Sequence, residues 1–197
     1  GDGATRRFAT ELDRAQGLLM EIEDHLTFED MNTDVSPKRR EEIEKLLHTH
    51  RDRLNGIASF TIIGADGIRR YGVVGKNFTD LNDRGYFKAL KSGQSNTFVS
   101  PNEDGRASGK NGIHVARRIN FGDKFGGVIV INLAIAEVFE PFYSSLALGS
   151  SSSITLRSKT KLLSRYPAAS ATFGQEIPDT SPITRLIKSG LEHGYAI

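Results

Sequence analysis

The sequence contains no cysteine in its 197 residues, and it has no long hydrophobic run. Without cysteine, the chain has no disulfides, no thiolate metal ligands and no cysteine nucleophile. The longest apolar stretch runs from Val128 to Ala136 and is interrupted by Asn132. It is much shorter than the roughly 20 residues that a helix needs to span a bilayer.

An excess of charge of one sign is also lacking, since 26 lysines and arginines face 24 acidic residues. A nucleic-acid binder concentrates positive charge on one face to neutralise phosphates. Here the basic residues come as scattered pairs with acidic neighbours: Arg6-Arg7, Arg39-Arg40, Arg69-Arg70 and Arg117-Arg118. This pattern disfavours nucleic-acid binding, and the ordinary composition disfavours a disordered chain.

The first 56 residues carry helical periodicity. Residues 5–31 have an apolar stripe at alternating spacings of four and three, formed by Phe8, Leu12, Ala15, Leu19, Ile22 and Leu26. The stripe either docks on the chain's own core or forms a seam in a homodimer through the N-terminal helix. Ser36 and Pro37 are typical of the start of a second helix, and Asn55-Gly56 of its end.

From residue 57 the period changes to that of strands. We predict a hairpin around Ala65-Asp66-Gly67, a short helix that has Asp83 as its N-cap and runs to Lys91, three further strands with an exposed loop at 101–112, and a helix from 135 to 148. The predicted strands are Ile57 to Ile63, Ile68 to Val74, Thr97 to Ser100, Ile113 to Asn120 and Phe125 to Leu133. This order predicts an α+β fold with a PAS-like five-stranded antiparallel sheet and flanking helices.

The pattern restarts at residue 150. A strand at Ser153 to Leu156, a second at Leu162 to Tyr166 and a helix at Pro182 to Leu191 predict the opening of a second, smaller PAS-like α/β module. The helical beginning of the chain and its strand-like last residues, 195–197, lead us to expect neighbouring segments beyond both ends.

Motifs for catalysis or metal binding are not complete. The segment from Gly105 to Asn111 has three residues between its glycines where a phosphate loop needs four. His48 and His50 stand two apart on a predicted helix, so they point in different directions. No serine lies in a nucleophile elbow, and no carboxylate pair is spaced for acid–base work. We therefore predict no catalytic residue, no metal site, no cofactor and no enzyme activity in this part of the protein.

The start of the short helix is the best candidate for a binding site. The Arg84 guanidinium can hold a carboxylate by two parallel hydrogen bonds, and Tyr86 and Phe87 can supply the walls of a pocket. The alternative is that Arg84 pairs with Asp80 or Asp83 and that the aromatic rings are core.

The strand from Ile113 to Asn120 offers further candidates. His114 and Arg118 share one face of this strand and Arg117 has the other, because side chains alternate. Only one of the two arginines can therefore reach a pocket, and we favour Arg118. His114 is either packed in the core or lines that pocket.

Four segments in this order resemble the double Cache (periplasmic PAS-like) sensor domain of bacterial diguanylate cyclases and sensor histidine kinases. They are Asp83 to Phe87, Phe98 to Ser100, Val115 to Ile119 and Phe125 to Ile129. The hairpin around Gly64 to Gly67 and the segment Ser164 to Pro167 fit the same pattern. The resemblance covers about residues 5–170.

The resemblance implies an extracytoplasmic part of an inner-membrane protein, attached through flanking transmembrane helices outside this sequence. Residues 1–56 would be the N-terminal helical segment, 57–149 the membrane-distal ligand-binding module, and 150–197 the start of the membrane-proximal module. The implied function is a small-molecule sensor that signals to a diguanylate cyclase or a histidine kinase. A constitutive dimerisation module without a ligand is the alternative.

Members that bind amino acids use a similar Arg-x-aromatic-aromatic element for the carboxylate. They add a tyrosine five residues earlier, and a late aspartate for the amine. This chain has Thr79 and Asn132 at those places, so the resemblance implies a small carboxylate or another small anion or polar metabolite. The candidate ligand-binding residues are Arg84, Tyr86, Phe87, Ser100, His114, Arg118 and Asn132.

Overall fold

The computed structural model describes residues 2–54, 56–104, 111–134, 137–138, 154–157 and 162–166. Three α-helices lie in these ranges: α1 (Asp2–Glu23), α2 (Pro37–Arg51) and α3 (Gly85–Lys91), with a 3-10 turn at Glu29–Met31. The strands there are β1 (Ile57–Gly64), β2 (Arg69–Gly72), β3 (Thr97–Asp104), β4 (Asn111–Phe121), β5 (Lys124–Leu133), β6 (Ile154–Arg157) and β7 (Leu162–Tyr166).

Strands β1 to β5 form one antiparallel sheet in the order β2-β1-β5-β4-β3. The first and last of these strands are neighbours, with Ile57 opposite Leu133 and Gly64 opposite Gly127. Helix α3 lies in the connection from β2, at one edge, to β3, at the other. The predicted α+β fold with a five-stranded antiparallel sheet is confirmed.

The two faces of the sheet are covered by different helices. One face packs against α1 and α2 through residues that include Phe60, Ile62, Val115, Ile129 and Ile131 from the sheet and Leu19, Ile22, Ile43 and Leu47 from the helices. On the other face, Ile63, Ala116, Val128 and Val130 contact α3 through Tyr86, Phe87 and Leu90. The alternation of side chains along each strand separates the two sets.

From Leu12 onward, the apolar stripe of α1 packs on the molecule's own sheet. Ala15, Leu19 and Ile22 are fully buried there, and Leu26 follows them into the same core. These residues are therefore already covered within one chain. A homodimer through the N-terminal helix would have to use another face, such as the one that exposes Met20.

The first predicted helix is shorter than expected. It ends at Glu23 instead of residue 31, and a separate 3-10 turn follows. The Asp30 side chain accepts a hydrogen bond from the Thr27 backbone N–H at 2.8 Å. Such local side-chain bonds compete with helical ones and turn the chain. The second helix begins as predicted, with Ser36 Oγ accepting from the Arg39 N–H and Pro37 in the first turn, but it ends at Arg51, before Asn55-Gly56.

The predicted loop at 101–112 is partly strand. β3 continues to Asp104 and β4 begins at Asn111, and Glu103 pairs with Gly112. Pairing with a neighbouring strand overrides the low strand propensity of these Gly, Asn and Asp residues. Residues 105–110 lie outside the described ranges.

Of the predicted second module, only the first hairpin lies within the described residues. β6 pairs with β7, with Ile154 opposite Tyr166, and this confirms the predicted pair of strands. The predicted helix at 182–191 lies outside the described residues. The predicted helix at 135–148 also lies outside the described residues, apart from residues 137–138, which are helical. The division at residues 56 and 149 stays an expectation. In the described ranges no helix is long and apolar enough to cross a membrane.

Asp30 ties the turn after α1 to helix α2. Its carboxylate is almost fully buried and accepts hydrogen bonds from Arg39 Nε at 2.9 Å and Nη2 at 2.8 Å. Burial raises the pKa of Asp30, but the hydrogen bonds from Arg39 and Thr27 outweigh burial and bring this pKa below its ordinary value. The Tyr71 hydroxyl donates to the Asp30 carbonyl, which anchors the same turn to β2.

Replacing Asp30 with alanine removes these charge-assisted bonds and leaves the Arg39 guanidinium without its main partner. We expect Asp30→Ala to lower the free energy of unfolding by about 2 to 3 kcal/mol, measured by urea denaturation. Asp34→Ala is the control because Asp34 is exposed, and it should change stability by about 0.5 kcal/mol or less. Equal effects of the two substitutions would contradict this role of Asp30.

Candidate ligand-binding site

A cavity of about 300 Å³ lies on the face of the sheet that carries α3. Its lining comes from β1, β2, β4 and β5, from the segment 73–84 that joins β2 to α3, and from the first turn of α3. The lining residues are Ser59, Thr61, Arg69, Gly75, Lys76, Thr79, Leu81, Arg84, Tyr86, His114, Val130 and Asn132. Three of them are cationic, and none of the described lining residues is an aspartate or glutamate.

Alternate residues of the central strands form the floor. Ser59 and Thr61 of β1 are buried, and they point to the same side of the sheet as Asn132 of β5. His114 of β4 lies opposite Asn132. Elsewhere the same face is apolar, so the polar side chains mark the part of the sheet that lines the cavity.

The segment 73–84 covers the cavity and is fixed at its edges. The backbone N–H of Phe78 donates to the Arg69 carbonyl, and that of Arg69 donates to the Thr79 carbonyl, both at 2.9 Å. Asn77 Nδ2 donates to Glu44 Oε1 of α2 at 2.9 Å. Phe78 adopts a left-handed backbone conformation with φ of 62°. These bonds fix the segment that brings Lys76 and Thr79 into the cavity lining.

Arg84 and Tyr86 enter the cavity where α3 begins. Arg84, and not the predicted Asp83, is the N-cap residue of α3. Its backbone is extended, and its side chain makes no capping hydrogen bond to the helix. The half-buried Arg84 guanidinium lies 5.6 Å from the centre of the Tyr86 ring. Arg84 and Tyr86 both line the cavity, as the sequence predicts for a binding site.

His114 is both buried and part of the lining, so its two alternatives are not exclusive. Its ring lies 5.4 Å from that of Tyr86, and its Nδ1 is 3.3 Å from Ser100 Oγ. Burial, and then the charge of Arg84, lower the pKa of His114 to about 4. The imidazole is therefore neutral at pH 7, and it offers hydrogen bonds without a charge.

Three of the predicted ligand-binding residues do not line the cavity. Phe87 is buried in the core, with its ring 6.1 Å from that of Phe125. Ser100 lies opposite His114 in the neighbouring strand β3 and is not part of the lining. Arg118 faces the α3 side of the sheet as expected, but it donates to the carbonyls of Leu90 and Lys91 at the end of α3. Arginine at a helix C-terminus satisfies backbone carbonyls there, and this explains why Arg118 does not reach the cavity.

Arg117 points to the other face of the sheet. Its Nε donates to the Glu23 carboxylate of α1, which gives an ion pair between β4 and the N-terminal helix. The prediction that the two arginines face opposite sides is therefore confirmed. Neither of them belongs to the cavity lining.

Arg69 is the main lining residue that sequence reasoning missed. It is 2% exposed and lies on the cavity side of β2, while the adjacent Arg70 donates to the Met31 carbonyl and pairs with Asp66. Two consecutive arginines in a strand must point to opposite faces unless a bulge intervenes. This pair was a signal that one of them points inward. Ser59 and Thr61 gave a second signal, as polar residues at alternate positions of an apolar strand.

Among the described residues, no group of three or more His, Asp or Glu side chains is arranged to hold a metal ion.

No protein family and no curated protein sequence matches the chain. Solved structures do match. The extracellular domain of rpHK1S-Z16, described as a histidine kinase, has a TM-score of 0.69 at 27% identity, over 88% of this chain and 70% of its own. The sensor domain of the V. cholerae histidine kinase DctB has a TM-score of 0.70 at 15% identity, over 95% and 71%.

The ligand-binding domain of the Campylobacter jejuni chemoreceptor Tlp3, in complex with 4-methylisoleucine, has a TM-score of 0.65 at 13% identity, over 94% of this chain and 71% of its own. The fold is that of a Cache-like sensor domain. This confirms the resemblance to Cache sensor domains that the segment Asp83 to Phe87 and the segments after it indicated. These neighbours are sensor and ligand-binding domains, in agreement with the prediction that this part of the protein is not an enzyme.

The buried histidine gives the Cache-like domain a defined pH dependence. An unfolded histidine binds a proton near pH 6.5, whereas folded His114 does so only near pH 4. Between these values the unfolded state binds more protons, so stability falls as the pH falls. The pKa difference corresponds to about 3 kcal/mol when the pH is below both values.

We expect His114→Asn to reduce the loss of stability between pH 7 and pH 4, as measured by urea denaturation at each pH. Exposed His48 provides the control His48→Asn, which should keep the wild-type slope. The slope, and not the absolute stability, is the readout, because the asparagine also changes packing. A wild-type slope in His114→Asn would contradict the neutral buried imidazole.

Proposed function

We propose that this domain is the extracytoplasmic signal-input part of a bacterial membrane receptor, and that it binds a small carboxylate or another small anion in the cavity. The observation that supports the ligand class most directly is the charge of the lining. Arg69, Lys76 and Arg84 are cationic, and the described lining residues include no carboxylate. Such a cavity attracts anions, and guanidinium groups match the geometry of a carboxylate.

The neutral polar groups of the lining favour the same ligand class. Ser59, Thr61 and Asn132 can donate hydrogen bonds to a carboxylate, and the neutral His114 adds one polar group without a charge. An α-amino acid also needs a negative group for its ammonium. Asn132 occupies the place where amino-acid-binding relatives are expected to have an aspartate, and an amide cannot supply that charge.

The contacts of β4 suggest a route for the signal. This strand carries His114 into the cavity on one face and the Arg117–Glu23 ion pair with α1 on the other. A ligand that prefers one position of β4 would therefore bias the position of α1. In a receptor, α1 would pass this shift to a membrane-crossing segment and then to a diguanylate cyclase or histidine kinase in other parts of the protein.

The proposal predicts that small carboxylates bind and that Arg84 is required. We expect a panel of carboxylates to give saturable heats by isothermal titration and to raise the melting temperature with ligand concentration. Arg84→Gln should weaken binding about 10- to 100-fold, because a charge-assisted hydrogen bond is lost. Lys88→Gln is the matched control, since Lys88 is exposed on the same helix and outside the cavity lining.

Two results would overturn the proposal. Saturable binding of plain amino acids, with no response to carboxylates, would reject the ligand class. A melting temperature that no metabolite changes would favour the alternative of a constitutive dimerisation or interaction module. In that case the exposed face of α1 would be the first surface to test by sedimentation.

A further inference from the structure

The Arg69 guanidinium is buried, and none of the residues that the structure describes forms an ion pair with it. Its Nε donates to the Tyr71 carbonyl at 3.3 Å, and its Nη2 has no hydrogen-bond partner among the residues that the structure describes. Buried arginines are ordinarily paired, because an uncompensated charge in a protein interior is strongly unfavourable. A buried arginine that lines a cavity and has no ion-pair partner among the described residues is typical of a binding site in which the ligand supplies the negative charge.

The charged groups around Arg69 do not replace such a partner. Glu44 attracts Arg69 electrostatically, but it forms no ion pair with it, and its Oε1 accepts a hydrogen bond from Asn77. Tyr86 is the other titratable group that acts on it. Burial is the largest effect on Arg69 and lowers the pKa of its guanidinium, so the attraction does not compensate for desolvation.

Strand β2 leaves space for the Arg69 side chain at Gly72. A Cβ at Gly72 would lie 2.5 Å from the Phe60 carbonyl oxygen and 2.2 Å from Arg69 Nη2, so the position requires glycine, and glycine leaves the space that the guanidinium occupies. Arg69 comes from β2 at the edge of the sheet, whereas Arg84 comes from the beginning of α3. Two guanidinium groups on separate elements therefore line one cavity of metabolite size.

We propose that Arg69 is a second anion-binding residue and that the ligand is a small dicarboxylate, with one carboxylate on Arg84 and the other on Arg69. This inference rests on the proposed function and narrows its ligand class. A monocarboxylate leaves Arg69 Nη2 without a partner, whereas a second carboxylate accepts its hydrogen bond and balances its charge.

Pairs of ligands that differ by one charge test the proposal. Each dicarboxylate from malonate to adipate is compared by isothermal titration with its monoamide, for example succinate with succinamate. The two members of a pair have the same number of non-hydrogen atoms, so the ratio of their dissociation constants isolates the second carboxylate. The proteins are wild type, Arg69→Gln, Arg69→Lys, Arg84→Gln and the control Lys88→Gln.

We expect wild type to bind at least one dicarboxylate about 10- to 100-fold more tightly than its monoamide. Arg69→Gln should abolish this preference while it keeps the affinity for the monoamide, because Arg84 still holds one carboxylate. Arg69→Lys should retain part of the preference through its charge. Arg84→Gln should weaken both members of the pair.

Melting of the ligand-free protein gives an independent readout. If a ligand supplies the partner of the Arg69 charge, this charge is uncompensated in the ligand-free domain. Replacing Arg69 with neutral glutamine then raises the melting temperature of the ligand-free domain. An arginine with only a structural role would lower it. A saturating dicarboxylate should then raise the melting temperature of wild type more than that of Arg69→Gln.

The failures of the two proposals are distinguishable. If carboxylates bind through Arg84 but every dicarboxylate equals its monoamide, and Arg69→Gln leaves the ratio unchanged, the assignment of Arg69 is wrong and the sensor proposal stands. A ligand-free Arg69→Gln protein that melts lower than wild type also counts against it. If no carboxylate binds at all, both proposals fail.

Discussion

The pairing of β1 with β5 is the contact on which the rest of the described structure depends. It joins the first strand of the sheet to the last, and it places Ser59 and Thr61 beside Val130 and Asn132 in one floor. Because side chains alternate, the same pairing directs Phe60 and Ile62 to the core under α1 and α2. One register therefore sets both the core and the cavity. A slip by one residue would exchange their faces.

The cavity differs from the core by its polarity. The apolar face under α1 and α2 gains stability from burial alone, whereas the opposite face contains arginine, histidine, asparagine and hydroxyl groups that burial does not favour. The buried Arg69 guanidinium is the clearest case, since it is desolvated and no residue in the described part of the chain binds its Nη2. Proteins keep such unfavourable groups where function requires them, and this cost connects the stability of the domain to the ligand that we propose.

The order of the elements, the opposite faces of Arg117 and Arg118 and the position of Arg84 before α3 were all predictable, because each follows from local spacing. The residues at which helices and strands end were less predictable from the sequence. Helix α1 stops at Glu23, and beyond it the Thr27 N–H binds the Asp30 side chain instead of a helical carbonyl. Strands β3 and β4 extend into the predicted loop because they pair with each other. Arg118 was favoured as a pocket residue, and it does face the α3 side of the sheet, but it donates to the Leu90 carbonyl at the end of α3, while the cavity lies further along β4, at His114.

By itself, the sequence determined the class of fold, the order of strands and helices along the chain, and a candidate anion site at Arg84 and Tyr86. Periodicity and turn chemistry act over a few residues, so they can be read without the fold. Only the tertiary structure decided which strands are neighbours, and so which residues line the cavity. Arg69 and His114 are 45 positions apart, and β1 and β5 bring their strands into one sheet. Whether a buried arginine has a partner is decided by such distant contacts, and the spacing of residues along the chain does not contain them.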